Sequence, residues 1–222
     1  MRYGKIQLVA LTLLLSGCGW IPPWDYYYAE SFIAVYMAGK LNASQYEDTG
    51  YLSLTFQGEE YRYDSCGKAR DVYEELCVKH NDMEYKEWDV EPEDLDPGSR
   101  QRSAFWIDVV AIDVVSDKDF DSDHPAGTSW NDVVKYIALT YGDYVQSGYK
   151  PIDYKLCVRY MDYLHTIPED GLRLINQLSL FIEDIPESAV GRHNLTITLT
   201  ADDGSVFVAE CLMQLSSVEK ID

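Results

Sequence analysis

Residues 195–212 read LTITLTADDGSVFVAECL, and this stretch decides the fold class. Leu195, Ile197 and Leu199 alternate with Thr196 and Thr198, a period of two that puts the three aliphatic side chains on one face of a strand. Asp202-Asp203-Gly204 supplies a turn able to take positive φ, and Val206 to Leu212 returns as the second arm of a hairpin. Leu195, Ile197 and Leu199 are expected to face the core.

Upstream, the same reading gives strands over Ser31–Met37, Tyr51–Gln57 and Ala104–Val115. The last, AFWIDVVAIDVV, is apolar on both parities and is expected to be a central strand. The 18 tyrosines, against six Phe and five Trp, suit pleated, half-buried surfaces. Helix is confined to Lys68–Lys79, with Val72 and Leu76 on one face and Tyr73 and Cys77 beside it, and to Asp132–Leu139, with Val133, Val134 and Ile137 inward. Residues 81–103 hold eight acids, two prolines and a Pro97-Gly98 turn, the composition of a solvated loop. The expected fold is mainly β: a β-sandwich, of which the immunoglobulin-like arrangement is one form, with one or two short helices.

Composition narrows function. The 222 residues carry 38 acidic and 18 basic side chains, a net charge of −20, which repels a phosphate backbone and argues against nucleic acid as a partner. Residues 1–18, MRYGKIQLVALTLLLSGC, set Arg2 and Lys5 ahead of an apolar run from Ile6 to Leu15 and small residues Ser16 and Gly17. This is the pattern of a secretory signal, and the run is too short to span a bilayer.

Leu15-Ser16-Gly17-Cys18 resembles the bacterial lipobox, which implies cleavage before Cys18 and acylation of its thiol. The expected organisation is then a signal peptide at 1–17, a lipidated cysteine and tether at 18–24, and a single β-rich domain at 25–222. Cleavage leaves 205 residues at −22, so lipid and not charge would hold the protein at its membrane. Gly19 in place of Asp implies the outer membrane, and the lone early acid, Asp25, argues for its periplasmic face over the cell surface. With SDKDFDSDHPAGTSWND at residues 116–132 and the C-terminal hairpin around Asp203-Gly204, the chain resembles small Bacteroides-type lipoproteins bearing a domain of unknown function. That resemblance implies an address and a fold, and no catalytic residue.

Candidate chemistry is sparse. In SDKDFDSDHPAGTSWND, residues 116–132, Asp117, Asp119, Asp121 and Asp123 recur at every second position, a pattern able to surround a hard cation such as Ca²⁺. The EF-hand spacing fails, since the sixth and twelfth positions from Asp119 are His124 and Trp130, and the alternative is a solvated turn-rich loop. Four cysteines other than Cys18, namely Cys66, Cys77, Cys157 and Cys211, are candidates for disulfides in an oxidising compartment or for small buried hydrophobes. His80, His124, His165 and His193 have no zinc-binding spacing, and no nucleophile elbow, P-loop or dinucleotide fingerprint occurs. Trp20, Trp24, Tyr26, Tyr27 and Tyr28 form an aromatic entry able to stack on sugar rings or to dock the tether.

The expected function is that of a lipid-anchored, non-enzymatic envelope module binding a ligand, a glycan or a protein partner. The alternatives are an envelope hydrolase acting on glycan or peptide, and a structural subunit of a surface assembly. A histidine with a carboxylate partner in a concave pocket would favour the hydrolase; an unpaired edge strand would favour the subunit.

Overall fold

The computed structural model describes residues 31–46, 50–85, 102–151 and 155–216. The signal, Cys18, the aromatic entry and most of the acidic stretch after residue 85 lie outside them. Nine strands form two sheets. The larger has the order β3-β1-β2-β7-β5-β6 and the smaller β4-β8-β9. In chain order the elements are β1 (Val35–Gln45), β2 (Tyr51–Arg62), α1 (Lys68–His80), β3 (Ser103–Phe105), β4 (Val109–Ser116), β5 (Lys135–Thr140), α2 (Gly142–Gln146), β6 (Val158–Tyr163), β7 (Ile175–Phe181), β8 (Gly191–Ala201) and β9 (Val206–Leu215).

The C-terminal hairpin forms as its alternation dictates. Thr200 pairs with Val206 across the Asp202–Gly204 turn, Gly204 takes φ 82°, and Leu195, Ile197 and Leu199 are at most 2% exposed. Their side chains meet Leu52, Leu54 and Phe56 of β2, Tyr136 and Ala138 of β5, and Leu178 and Leu180 of β7 in one core between the sheets. The protein is therefore mainly β with two packed sheets. The division of six strands and three, with β3 parallel to β1, differs from the all-antiparallel four and three of an immunoglobulin constant domain.

A second cluster lies on the other side of the larger sheet. There α1 contributes Tyr73, Leu76 and Cys77, and α2 contributes Tyr144 and Val145; they pack on Phe32, Ile33 and Tyr36 at the entry to β1 and on Ala104 of β3. Helix α1 spans the expected segment, with its buried side chains at Tyr73, Leu76, Cys77 and His80. Within the β1–β2 hairpin, Gly39 faces Gly58. A Cβ on Gly39 would come within 2.4 Å of the Gln57 carbonyl oxygen at φ 97°, so only glycine fits there.

Three local expectations are corrected. Ala104–Val115 is not one strand: Ser103–Phe105 pairs with β1, the chain turns at Trp106–Asp108, and Val109 onward joins the smaller sheet. Both parities are apolar because the two halves serve different sheets. Asp132–Leu139 is not a helix. A single helical turn closes from Trp130 to Val134, after which Tyr136, Ala138 and Thr140 alternate inward as β5. The strand expected from Ser31 starts at Val35, because the amides of Phe32 and Ile33 donate to Asp82 at 2.7 and 2.8 Å and not to a neighbouring strand.

Cys66, Cys77, Cys157 and Cys211, candidates for disulfides or for small buried hydrophobes, are unbridged in this structure. Cys66 is exposed ahead of α1, while Cys77 is buried on its inner face. Burial pushes the Cys77 thiol up to about 11.

Candidate functional site

Three carboxylates of the Asp-rich loop are taken up by amides of the chain. Asp117 accepts from the backbone and side-chain amides of Asn194 at 2.8 and 2.6 Å, and Asp119 accepts from the Ala126 amide at 2.7 Å. Asp121 accepts from the amides of Asp123 and His124, both at 2.9 Å. Among the described residues no three His, Cys, Asp or Glu side chains are grouped to hold a metal ion. Asp117, Asp119, Asp121 and Asp123 thus do not converge on a Ca²⁺ position. Asp119 and Asp121 close turns of the loop, and Asp117 ties its start to β8. His124 bridges Asp121 (2.7 Å) and Asp132 (2.9 Å), and these partners, Asp121 first, hold its pKa above the ordinary range.

Two histidines are interior. Nε2 of His193 lies 2.7 Å from the Ala189 carbonyl and Nδ1 lies 2.9 Å from Ser116 Oγ. The carbonyl can only accept, so Nε2 donates and Nδ1 accepts from the Ser116 hydroxyl. His80 stacks on Tyr36, with Nδ1 3.5 Å from Oδ1 of Asp108 and no hydrogen bond at either ring nitrogen. Burial, aided by Lys79 and Arg173, pushes His80 down to about 3, and burial raises Asp108. His80 is 1% and Asp108 5% exposed. The pair is sealed from any substrate and forms no pocket-borne acid–base site.

Among the described residues, no helix covers one end of the larger sheet's outer face. That face is covered by α1 and α2 at the β3–β1 end; at the other end register aligns side chains from four strands into rows. Tyr51 lies opposite Phe181, Phe181 opposite Lys135, and Lys135 opposite Tyr163. Directly opposed residues share a face. Tyr51 stacks on Phe181 at 5.2 Å and an interplanar angle of 13°, and Lys135 Nζ sits 4.7 Å from the centre of the Tyr163 ring. Phe181 is buried yet belongs to neither core cluster, since it is covered from the outer side by Tyr51, itself 45% exposed.

The next row runs Ser44, Ser53, Ser179, Ile137, Met161. It sets three hydroxyls beside the aromatic row and ends on Met161, 55% exposed. Four strands span ~14 Å at ordinary strand spacing. A surface of aromatic faces flanked by hydroxyls suits a ring with one apolar face and a polar rim.

A depression of about 520 Å³ lies over β4, β8 and β9, edged by Asp117, Asn194, Thr196 and Glu210. It holds no histidine, and Asp117 is already bonded to Asn194. Comparison of the chain with protein-family models, curated proteins and solved structures gave no match.

None of the four residues of the aromatic row stands out in the sequence. Tyr51 alone lies in a strand expected from the sequence, Lys135 falls in the segment read as a helix, and only pairing brings the four together. The expected aromatic entry at 20–28 lies outside the described residues.

Proposed function

We propose that this protein is a lipid-anchored, non-enzymatic binding module of the bacterial cell envelope, held by acylated Cys18 at the periplasmic face of the outer membrane. We further propose that it binds envelope glycan on the open end of its larger sheet. The lipobox-like Leu15–Cys18 segment supports the address. One observation carries the binding reading: the Tyr51–Phe181–Lys135–Tyr163 row beside Ser44, Ser53 and Ser179. Sugar C–H faces stack on such rings, and ring hydroxyls exchange hydrogen bonds with serine.

Titration with soluble peptidoglycan disaccharide fragments tests it. Saturable binding that weakens about tenfold in Tyr51→Ser is expected, equivalent to ~1.4 kcal/mol; saturating fragments that leave the Tyr51 and Tyr163 ring resonances unmoved would end the glycan reading. Separately, Cys18→Ala is expected to abolish incorporation of labelled lipid, and unchanged acylation would end the anchor.

A further inference from the structure

Each sheet has two edges, and three of the four are closed by a side-chain amide that stands in for a missing strand. On β4, Asn131 donates to the Ile112 carbonyl at 3.0 Å and accepts from the Val114 amide at 3.3 Å. On β9, Gln45 accepts from the Gln214 amide at 2.8 Å and donates to its carbonyl at 2.9 Å. On β3, Asn176 donates to the Ser103 carbonyl at 2.8 Å. Such closure keeps an edge from pairing with another chain.

β6 is the exception. Leu164 donates its amide to Val134, beside β5, at 3.1 Å, so alternation turns the backbone groups of Arg159, Met161 and Tyr163 to the outer side. The Tyr163 amide is met by its neighbour Asp162 at 2.8 Å. For Arg159 and Met161 no partner strand or capping amide is present among the described residues. Arg159 pairs with no carboxylate there, in a chain with 38 acids; its side chain reaches only Met161 Sδ, at 3.9 Å.

We propose that β6 pairs antiparallel with β6 of a second copy of this chain, about a twofold axis through Met161. An axis normal to the sheet preserves its faces, so residues whose numbers differ by an even count must meet. Centring on Met161 makes it and its counterpart exchange amide–carbonyl bonds, the pattern their outward groups require. The same register sets Met161 against Met161 and Arg159 beside Tyr163 of the other copy, whose ring also lies against Lys135 and His165 of its own chain. Thioether meets thioether, and the Arg159 guanidinium, which has no carboxylate partner among the described residues, gains the Tyr163 side chain as a neighbour. The two sheets become one of twelve strands, with both aromatic rows on the same side. This inference stands apart from the nature of the ligand.

The test is the mass of the full chain in solution, with Cys18→Ser to exclude lipid. One short strand a side is at the small end of specific interfaces, so a monomer–dimer equilibrium near ~100 µM is expected. Met161→Pro removes the outward amide from an exposed edge position and leaves the β5 ladder whole; it should weaken dimerisation at least about tenfold with unchanged circular dichroism. Arg159→Glu, an exposed change, should weaken it in the same direction should the proline variant misfold. In a Cys66→Ser background, Met161→Cys should cross-link under mild oxidant, since paired Cα atoms at the axis lie within disulfide reach, while Val208→Cys, of similar exposure, should not. A monomer throughout to ~0.5 mM, more than this affinity allows, would overturn the proposal, as would a dimer indifferent to both Met161→Pro and Arg159→Glu.

Discussion

The two ends of the larger sheet use the same residue type to opposite effect. At the covered end, Tyr36 is fully buried against His80 and Tyr73, and burial drives its ionisation far above the ordinary range. Tyr73 donates to the Ile33 carbonyl at 2.6 Å and bonds Ser31 Oγ at 2.5 Å. At the open end Tyr51 and Tyr163 lie against a ring and a cation on the solvent side of the sheet. The difference is what lies on top. Under α1 a tyrosine is core; where no described helix lies over it, it is a half-wet platform able to accept something else. Stability should therefore reside at one end and recognition at the other.

The largest expected effect that would break this division is at the covered end. Asp82 accepts from the amides of Phe32 and Ile33 and from the Tyr149 hydroxyl at 3.1 Å. It is fully buried. Asp82→Ala would strand buried donors, and a loss of about 3–4 kcal/mol in urea unfolding is expected. A loss below ~1 kcal/mol, the scale of one surface hydrogen bond, would mean that the clamp is ornamental.

His80 comes next. Its folded pKa, about 3, lies below its unfolded value of about 6.5. Between these values the unfolded chain takes up a proton that the folded one refuses, so the stability His80 permits at neutral pH is lost as pH falls from 6.5 towards 3. Asp108, raised by burial, acts in the reverse sense, its contribution falling as pH rises through its folded value. His80→Phe keeps the stack on Tyr36 and should recover about 2–3 kcal/mol of the acid loss by pH 4. Thermal melts over that range measure it, and parallel profiles for both proteins would refute the assignment.

The smallest effect on stability belongs to the open end. Tyr51→Ser uncovers Phe181 and should cost less than about 1 kcal/mol, while the glycan titration falls about tenfold as stated above. A stability loss as large as that of Asp82→Ala would place Tyr51 with the core and erase the contrast.

Much of the fold is legible in the chain. The period of two in Leu195–Leu199 gives β8 its inward face, and the apolar spacing of Lys68–Lys79 gives α1. Where the reading fails, one residue pattern satisfies two structures. Val133, Val134 and Ile137 fit a helix, yet the buried set is Val134, Tyr136, Ala138 and Thr140, of which Ala138 and Thr140 are too small or too polar to count as apolar signals. AFWIDVVAIDVV looks like one strand with two buried faces because nothing local marks the change of sheet at Asp108. The aromatic row was beyond reach for another reason: it depends on the registers of three separate strand pairs, and register is a property of the assembled sheet. The Asp-rich loop, by contrast, announces itself loudly and proves to be local turn chemistry.

The grip on residues 31–35 has a mechanical meaning. Asp82 holds the amides of Phe32 and Ile33, Arg102 donates to the Phe32 carbonyl at 2.7 Å, and Ala34 and Val35 bond to the Arg102 carbonyl. β1 then runs between β3 and β2. Any tension arriving through the preceding chain meets this fastening first and is next passed along an interior strand, where it loads two ladders in shear together. A strand at the rim would peel one bond at a time; this one resists as a unit.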